Sequence, residues 1–392
     1  MKTIVLAMVL LMPIQAVNAQ ESIINIGAEI NLPKDSIDSE YLLLSLNQFL
    51  IAAQADAKNK DWVYPPQYLE TTVLLDEIEG IDKNEDSEGD SFYQPYLIDV
   101  IPIEDEQYFI QVSYMGVVEE APVVRANFEF IAHKSEGKFL FSSPLVRNIR
   151  NWKTATIENF TFRYRGTLNL DKVNEYQRLT AFYDEKLKIK PKKKTYYLFE
   201  DGLISQQYFG LPYKLDYNGE GEGMRWTVLL EDQDIYVMST ARLYQFDPHD
   251  LWHHRLVQVK SRRAVNRAVD EGIATLYGGS WGWSWQELFT AFKDQIKFDE
   301  NTDWLQLREE RTAFITEGHR NPTDFMVNAL LVKKIEQEKG FSAVWELLNA
   351  KEESAYLTTL ERLTGISKKN YNKEVWKLVK DEMSDLKSKG AK

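Results

Sequence analysis

Histidines and carboxylates of the kind that bind metal ions are concentrated in one short part of this chain. The chain has five histidines in 392 residues, and three of them fall in the six residues from His249 to His254 (His-Asp-Leu-Trp-His-His). Residues four apart lie on the same face of a helix, so His249 and His253 can offer two imidazole nitrogens to one point in space. This spacing is typical of a metal site, and the alternative is that each histidine is structural.

A carboxylate that would complete such a site follows further along the chain. Seventeen residues separate His253 from Glu271, enough for one helix to end, a turn to reverse direction and a second helix to bring the carboxylate back. Residues 260–263 (Lys-Ser-Arg-Arg) predict the turn, because cations suit the C-terminus of a helix. We expect the second helix to run from about residue 264 to 277 and to end at Gly278-Gly279. A catalytic zinc ion has three protein ligands and an open fourth position for water.

The residues His249 to His253, followed by Glu271 to Ala274 (Glu-Gly-Ile-Ala), resemble the gluzincin metallopeptidases. In that family His-Glu-x-x-His is followed by a glutamate ligand in a Glu-Gly-aliphatic-Ala helix. The peptidase-MA-like group of extracytoplasmic gluzincins is the branch that the chain resembles. The resemblance implies Zn²⁺ bound by His249, His253 and Glu271.

One position departs from the gluzincin pattern. The general base of the family is a glutamate, and this chain has Asp250 in its place. Aspartate is one methylene shorter, so its carboxylate would lie about 1.5 Å further from an attacking water. The metal ligands are unaffected by this change, whereas the catalytic base is displaced.

Four further residues are candidates for the surroundings of the metal. Asp247 and Asp270 are expected to be carboxylate partners that orient the imidazoles. His254 points about 100° away from His253 on a helix, which predicts a supporting or surface position. His319, in a predicted loop, is a candidate for stabilising an oxyanion in the cleft, and an ordinary loop histidine is the alternative.

Three tryptophans alternate along the chain at Trp281, Trp283 and Trp285. Such residues line pockets for sugars or apolar side chains, and core packing explains the pattern equally well. Ser284 is expected to cap a helix that starts beside them.

Three functions are consistent with these motifs. The first is a zinc-dependent peptidase that hydrolyses a peptide or protein substrate. The second is a catalytically inactive binding protein on a gluzincin scaffold, which Asp250 favours. The third is a zinc hydrolase of cell-wall peptides, which the tryptophans and the expected location favour.

The start of the chain and its composition predict where the protein works. Residues 1–19 are typical of a secretory signal peptide cleaved near Ala19, so we expect an extracytoplasmic protein, periplasmic or secreted. We expect no membrane span, since the apolar run of the leader is too short for one. The net charge of −13 argues against nucleic acid as a partner. The absence of cysteine excludes disulfide bonds and leaves histidine and carboxylates as metal ligands.

The order of predicted elements indicates an α+β protein with two domains. Residues 20–150 are predicted to form an N-terminal α+β domain, in which a helix precedes an antiparallel sheet. This order resembles the cone folds of the nuclear-transport-factor type. The helix is expected at about 35–58 and the strands at 93–103, 107–118, 123–132 and 138–142.

Residues 151–392 are predicted to form a gluzincin-like domain. It would combine a small sheet, the zinc helix pair and an all-α C-terminal subdomain from about residue 283. Strands are expected at 157–163, 195–199, 226–230 and 235–239, and the last is the candidate edge strand for holding a substrate backbone. Helices are expected at 170–188, 303–316, 324–339, 342–349, 354–363 and 371–387.

Overall fold

The chain is of mixed α+β class and forms two compact units. The computed structural model describes residues 22–27, 29–56, 60–81, 92–104, 106–200, 202–215, 227–229, 233–239 and 246–390, so the predicted signal peptide lies outside the described residues. The first unit comprises Met1–Arg147 and Gln207–Gly221, and the second comprises Asn148–Gln206 and Glu222–Lys392.

Two long helices belong to the first unit. The predicted helix is confirmed as α1 (Ser36–Ala55), and the side chain of Asp35 caps it by accepting hydrogen bonds from two backbone N–H groups at 2.8 and 3.1 Å. The second helix, α2 (Tyr68–Gly80), was not predicted. Its Leu74, Leu75 and Ile78 are buried at helical spacing, so the signal for it was present in the sequence.

The sheet of the first unit follows the predicted strands closely. The strands are β1 (Asn25–Ile26), β2 (Gln94–Pro102), β3 (Gln107–Val118), β4 (Ala121–Ser135), β5 (Lys138–Ser142) and β9 (Tyr213–Lys214), numbered in chain order. Neighbours in the sheet run in the order β1 to β5; the pairs from β2 to β5 are antiparallel, whereas β1 pairs with β2 in parallel. The two-residue strand β9 also pairs with β4. A short helix, α3 (Leu145–Asn148), follows β5.

The sheet of the second unit consists of β6 (Lys153–Ile157), β7 (Phe160–Tyr164), β8 (Lys193–Phe199), β10 (Thr227–Leu229) and β11 (Gln233–Ser239). Its strand order is β10-β11-β8-β7-β6.

Two predictions for this sheet were wrong. The strand expected at 157–163 begins only at Phe160, because the chain turns at Glu158, which has φ 53°, and residues 153–157 form the other strand of a hairpin. The candidate edge strand, Ile235–Ser239, is internal: β11 pairs in parallel with β8 on one side and antiparallel with β10 on the other. Strand order depends on contacts between distant segments, which a local pattern does not contain.

Helices make up most of the second unit. In chain order they are α4 (Leu170–Leu187), α5 (Gly202–Phe209), of which the last three residues belong to the first unit, α6 (Pro248–Leu256), α7 (Arg267–Gly278), α8 (Trp285–Ile296), α9 (Trp304–Glu309), α10 (Thr323–Lys339), α11 (Phe341–Asn349), α12 (Glu353–Thr364) and α13 (Tyr371–Gly390). None of the helices in the described ranges combines the length and apolar character that a membrane span requires.

Between Trp285 and Gly390, the last residue that the structure describes, one hairpin interrupts the helices. A helix was expected over 303–316, but α9 ends at Glu309 and is followed by β12 (Ala313–Thr316) and β13 (His319–Pro322). Glu317 and Gly318 form the loop between the paired Thr316 and His319, with φ values of 46° and 84°. A two-residue loop with positive φ at both positions matches the twist of antiparallel strands, so it favours a hairpin over a continuous helix.

Candidate metal centre

Helix α6 carries both histidines of the predicted site. Pro248 occupies its first turn, where the missing N–H costs nothing, and the Asp247 side chain caps it by accepting from the N–H of His249 at 2.9 Å. At the other end, the fully buried Arg255 donates from Nε to Asp184 of α4 at 2.5 Å. Both ends of α6 are therefore fixed, and its histidines lie one turn apart between them.

Helix α7 carries the predicted carboxylate ligand. Asn266 caps it by accepting from the N–H of Val269 at 3.2 Å, and the same side chain donates to the carbonyl of Ala350 at 3.0 Å. A short 3-10 turn, Arg262–Ala264, precedes the helix, so α7 starts slightly later than predicted. Glu271 lies near its N-terminal end and is buried.

Two glycines allow α7 to lie close to its neighbours. A Cβ atom on Gly272 would lie 2.9 Å from the backbone nitrogen of Ala329 in α10. A Cβ on Gly278 would lie 2.5 Å from the backbone nitrogen of His249 in α6. Any larger residue at these two positions would push α7 outward, so the glycines keep Glu271 within reach of the histidines.

The three predicted ligands converge on one point. Nε2 of His249 lies 3.3 Å from Nε2 of His253. Oε2 of Glu271 lies 3.2 Å from Nε2 of His249 and 3.6 Å from Nε2 of His253. A tetrahedral ion with bonds of 2.0–2.1 Å holds its ligands about 3.3 Å apart. The triangle matches one face of such a tetrahedron, and the three residues form a group that can hold a metal ion.

Hydrogen bonds orient both imidazoles so that their Nε2 atoms face the same point. His249 donates from Nδ1 to the carbonyl oxygen of Gly279 at 2.7 Å. His253 donates from Nδ1 to Oδ1 of Asp270 at 3.1 Å. Carbonyl and carboxylate oxygens only accept, so each Nδ1 carries a proton, and each Nε2 is the ring nitrogen that faces Glu271 and that a metal ion would bind after displacing its proton.

The electrostatics of this group favour a positive charge at its centre. Burial alone would lower the pKa of His253, but hydrogen bonds with Asp270 and Glu271 outweigh burial and raise it to about 9. Burial opposes ionisation of Glu271 as well, yet hydrogen bonds from His249 and His253 hold its pKa well below the usual range. Burial also opposes ionisation of Asp270, but its contacts with His253 and Arg262 lower its pKa. Both carboxylates therefore stay ionised and attract a cation.

Two residues that the sequence analysis did not single out complete the surroundings. The buried Trp252 donates its indole N–H to Oδ1 of Asp270 at 2.8 Å. Arg262 donates to Oδ2 of Asp270 at 2.9 Å and to Oε1 of Glu271 at 2.8 Å. Trp252 lies between His249 and His253 in the sequence, and its contact could have been anticipated because a buried indole N–H needs an acceptor. The contacts of Arg262 depend on the turn before α7 and had no local signal.

The remaining predicted polar residues take different places. Asp250 is half-buried on α6 next to His249, and among the described residues its carboxylate forms no hydrogen bond or ion pair. Asp247 caps α6 instead of orienting an imidazole, and burial together with the nearby Asp250 raises its pKa. His254 lies on α6 outside the three-residue group, and burial lowers its pKa to about 4.

The predicted loop histidine lies on a strand. His319 is the first residue of β13 and stacks on Trp281, with ring centroids 3.9 Å apart and ring planes 7° apart. Trp281 is 37% exposed and has φ 52°, an uncommon value for a large side chain. The other two tryptophans pack against the core, and Trp285 also donates to Glu382 at 2.7 Å. Only Trp281 thus remains a candidate for contacting a ligand among the three.

Comparison of the sequence with models of known protein families gave no match, and comparison with curated proteins gave none either. Any functional conclusion therefore depends on the site itself.

Proposed function

We propose that this protein is a zinc-dependent peptidase that works outside the cytoplasm and binds its ion through His249, His253 and Glu271. The observation that carries the proposal is the triangle of three donor atoms, with sides of 3.2, 3.3 and 3.6 Å. Two neutral imidazoles and one carboxylate suit Zn²⁺, and three protein ligands leave a fourth position for water. When bound by these residues, Zn²⁺ would supply a water activated near neutral pH and a Lewis acid for a carbonyl oxygen.

Asp250 is the residue that we assign as general base. It lies in the first turn of α6, directly after the proposed ligand His249. Among the described residues, its carboxylate has no hydrogen-bond partner. A carboxylate in that state can accept the proton of the attacking water and return it to the leaving amine. Asp270 and the Gly279 carbonyl keep the two imidazoles oriented while this happens.

Cleavage of a mixed peptide library tests this function. We expect the native protein to cleave, chelation to abolish cleavage, and added Zn²⁺ to restore it. The Asp250→Ala variant should retain zinc and cleave about 10²- to 10⁴-fold more slowly, the usual contribution of a general base. Asp171→Ala, which removes an exposed aspartate in the first turn of α4, is the matched control and should cleave normally.

The shorter side chain of Asp250 supports a second candidate, a zinc-binding protein that does not hydrolyse peptides. That function predicts native protein with bound zinc and no cleavage of any library member, cell-wall peptides included. It also predicts that Asp250→Glu gains activity, because the longer side chain brings the carboxylate about 1.5 Å closer to the water.

A further inference from the structure

Arg262 contacts two successive carboxylates of the candidate metal centre with a single guanidinium. Its Nε donates to Oδ2 of Asp270 at 2.9 Å, and its Nη2 donates to Oε1 of Glu271 at 2.8 Å. The arginine comes from the 3-10 turn between α6 and α7, and its side chain is 40% exposed. Both distances are typical of charge-assisted hydrogen bonds.

The oxygens of each carboxylate are divided between two tasks. Glu271 directs Oε2 toward the histidines and Oε1 toward Arg262. Asp270 directs Oδ1 toward His253 and Trp252, and Oδ2 toward Arg262. The guanidinium therefore engages the oxygen of each carboxylate that the histidines do not use.

We propose that Arg262 is a positioning residue that restricts Glu271 to binding the metal through one oxygen and holds Asp270 behind His253. This inference rests on the metal site of the proposed function. For Glu271 to bind through both oxygens, Oε1 would have to turn toward the metal and break its 2.8 Å bond with Arg262. While Oε1 stays bonded to Arg262, Glu271 would occupy only one coordination position, and a fourth position would remain available to water.

Arg262 also brings a positive charge close to the metal position, since its Nη2 lies 3.4 Å from Nε2 of His253. Repulsion and positioning thus act in opposite directions on metal affinity. The same guanidinium fixes one oxygen of Asp270 and one of Glu271 through hydrogen bonds of 2.9 and 2.8 Å, and both carboxylates are buried. We expect this positioning to outweigh the repulsion, so loss of Arg262 should weaken metal binding.

Cobalt substitution tests the assignment, because the visible bands of Co²⁺ weaken as its coordination number rises above four. We expect the native protein to give strong four-coordinate bands, and Arg262→Ala to give weaker bands with Co²⁺ and Zn²⁺ affinities about 10- to 100-fold lower. Arg262→Lys should behave like Arg262→Ala, since one ammonium group cannot reproduce the planar fork that spans both carboxylates. Arg263→Ala, at the exposed neighbouring arginine, is the matched control and should match the native protein.

Two results would overturn the assignment. Native bands and native affinity in Arg262→Lys would show that charge alone suffices, and this variant decides the question even if Arg262→Ala does not fold. The same result in a folded Arg262→Ala would remove any role for the residue while the metal site stands. A native protein that binds neither Co²⁺ nor Zn²⁺ would instead reject the proposed function, and the role of Arg262 with it.

Discussion

Two buried histidines, one in each unit, have opposite electrostatic surroundings. His133 on β4 is 8% exposed, stacks on Tyr64 with ring centroids 3.8 Å apart, and shares a 2.8 Å hydrogen bond with the hydroxyl of Ser142. Burial lowers its pKa to about 4. His253 is 6% exposed, yet its pKa is raised to about 9 because Asp270 and Glu271 outweigh burial.

The difference between these histidines separates a structural residue from a site. Burial alone makes a histidine neutral and leaves it to pack, as at His133. Carboxylates that converge on a buried imidazole create a place for a positive charge, as at His253. The composition of the surroundings, and not the histidine or its burial, therefore identifies the candidate metal centre.

The largest expected effect is a difference in zinc affinity between matched substitutions of the two histidines. His253→Gln removes one of three ligands, so we expect zinc affinity to fall by more than about 100-fold, beyond the loss typical of outer contacts. His133→Gln should leave zinc affinity unchanged. Competition with a chromophoric chelator measures both, and equal affinities for the two variants would contradict the account.

The carboxylate behind His253 should have the next largest effect. Asp270→Asn keeps the shape but loses the charge that orients His253 and pairs with Arg262, so zinc affinity should fall about 10- to 100-fold. The control is Glu129→Gln, a half-buried carboxylate in the sheet of the first unit. Isothermal titration of the two variants gives the ratio, and native affinity in Asp270→Asn would show that the carboxylate has no orienting role.

A methyl group at Gly272 should disturb the site through packing. Its Cβ would lie 2.9 Å from the backbone of α10, and we expect Gly272→Ala to lower the free energy of unfolding by roughly 1–2 kcal/mol, in the lower part of the range for overfilled cores. In Gly27→Ala the new atom meets only ordinary contacts, the nearest at 3.6 Å, so this control should be nearly neutral. Denaturant unfolding measures both, and a neutral Gly272→Ala would mean that α7 and α10 can separate without cost.

The last prediction concerns the pH dependence of stability in the first unit, which should leave metal binding unchanged. His133 has a folded pKa of about 4, below its ordinary value of 6.5. Between these values the unfolded chain takes up a proton that folded His133 does not, so the free energy of unfolding falls as pH decreases through this window. Above pH 6.5 both states are neutral at this residue, and the contribution is constant.

The variant His133→Gln isolates this contribution from those of other groups. Its loss of stability between pH 6.5 and pH 4 should be less steep than that of the native protein, as thermal unfolding across that range would measure. Identical slopes would show that the buried imidazole accepts a proton without cost.

The sequence predicted the parts of the candidate centre that depend on local spacing. His249 and His253 are one helical turn apart, and the turn and helix that bring Glu271 back follow from residue types near in sequence. The role of Arg262 could not be predicted from the sequence, because its contacts depend on the three-dimensional course of the turn before α7.

The wrong predictions of strands and helices have a similar origin. The hairpin at Glu158 and the hairpin at Glu317-Gly318 each place a non-glycine residue at positive φ, which composition alone does not predict. The internal position of β11 is set by pairing with β8, a strand about 40 residues earlier, and such pairing is a property of the whole sheet.

The metal content of the protein is the most direct test of the central claim. We would purify the native protein and Glu271→Ala in metal-free buffer, load both with Zn²⁺, remove free ion by dialysis and measure zinc by elemental analysis, with circular dichroism to confirm folding. The account predicts close to one zinc per native chain and a large loss in the variant. A folded native protein that retains no zinc, or a Glu271→Ala variant that retains as much as the native protein, would contradict it.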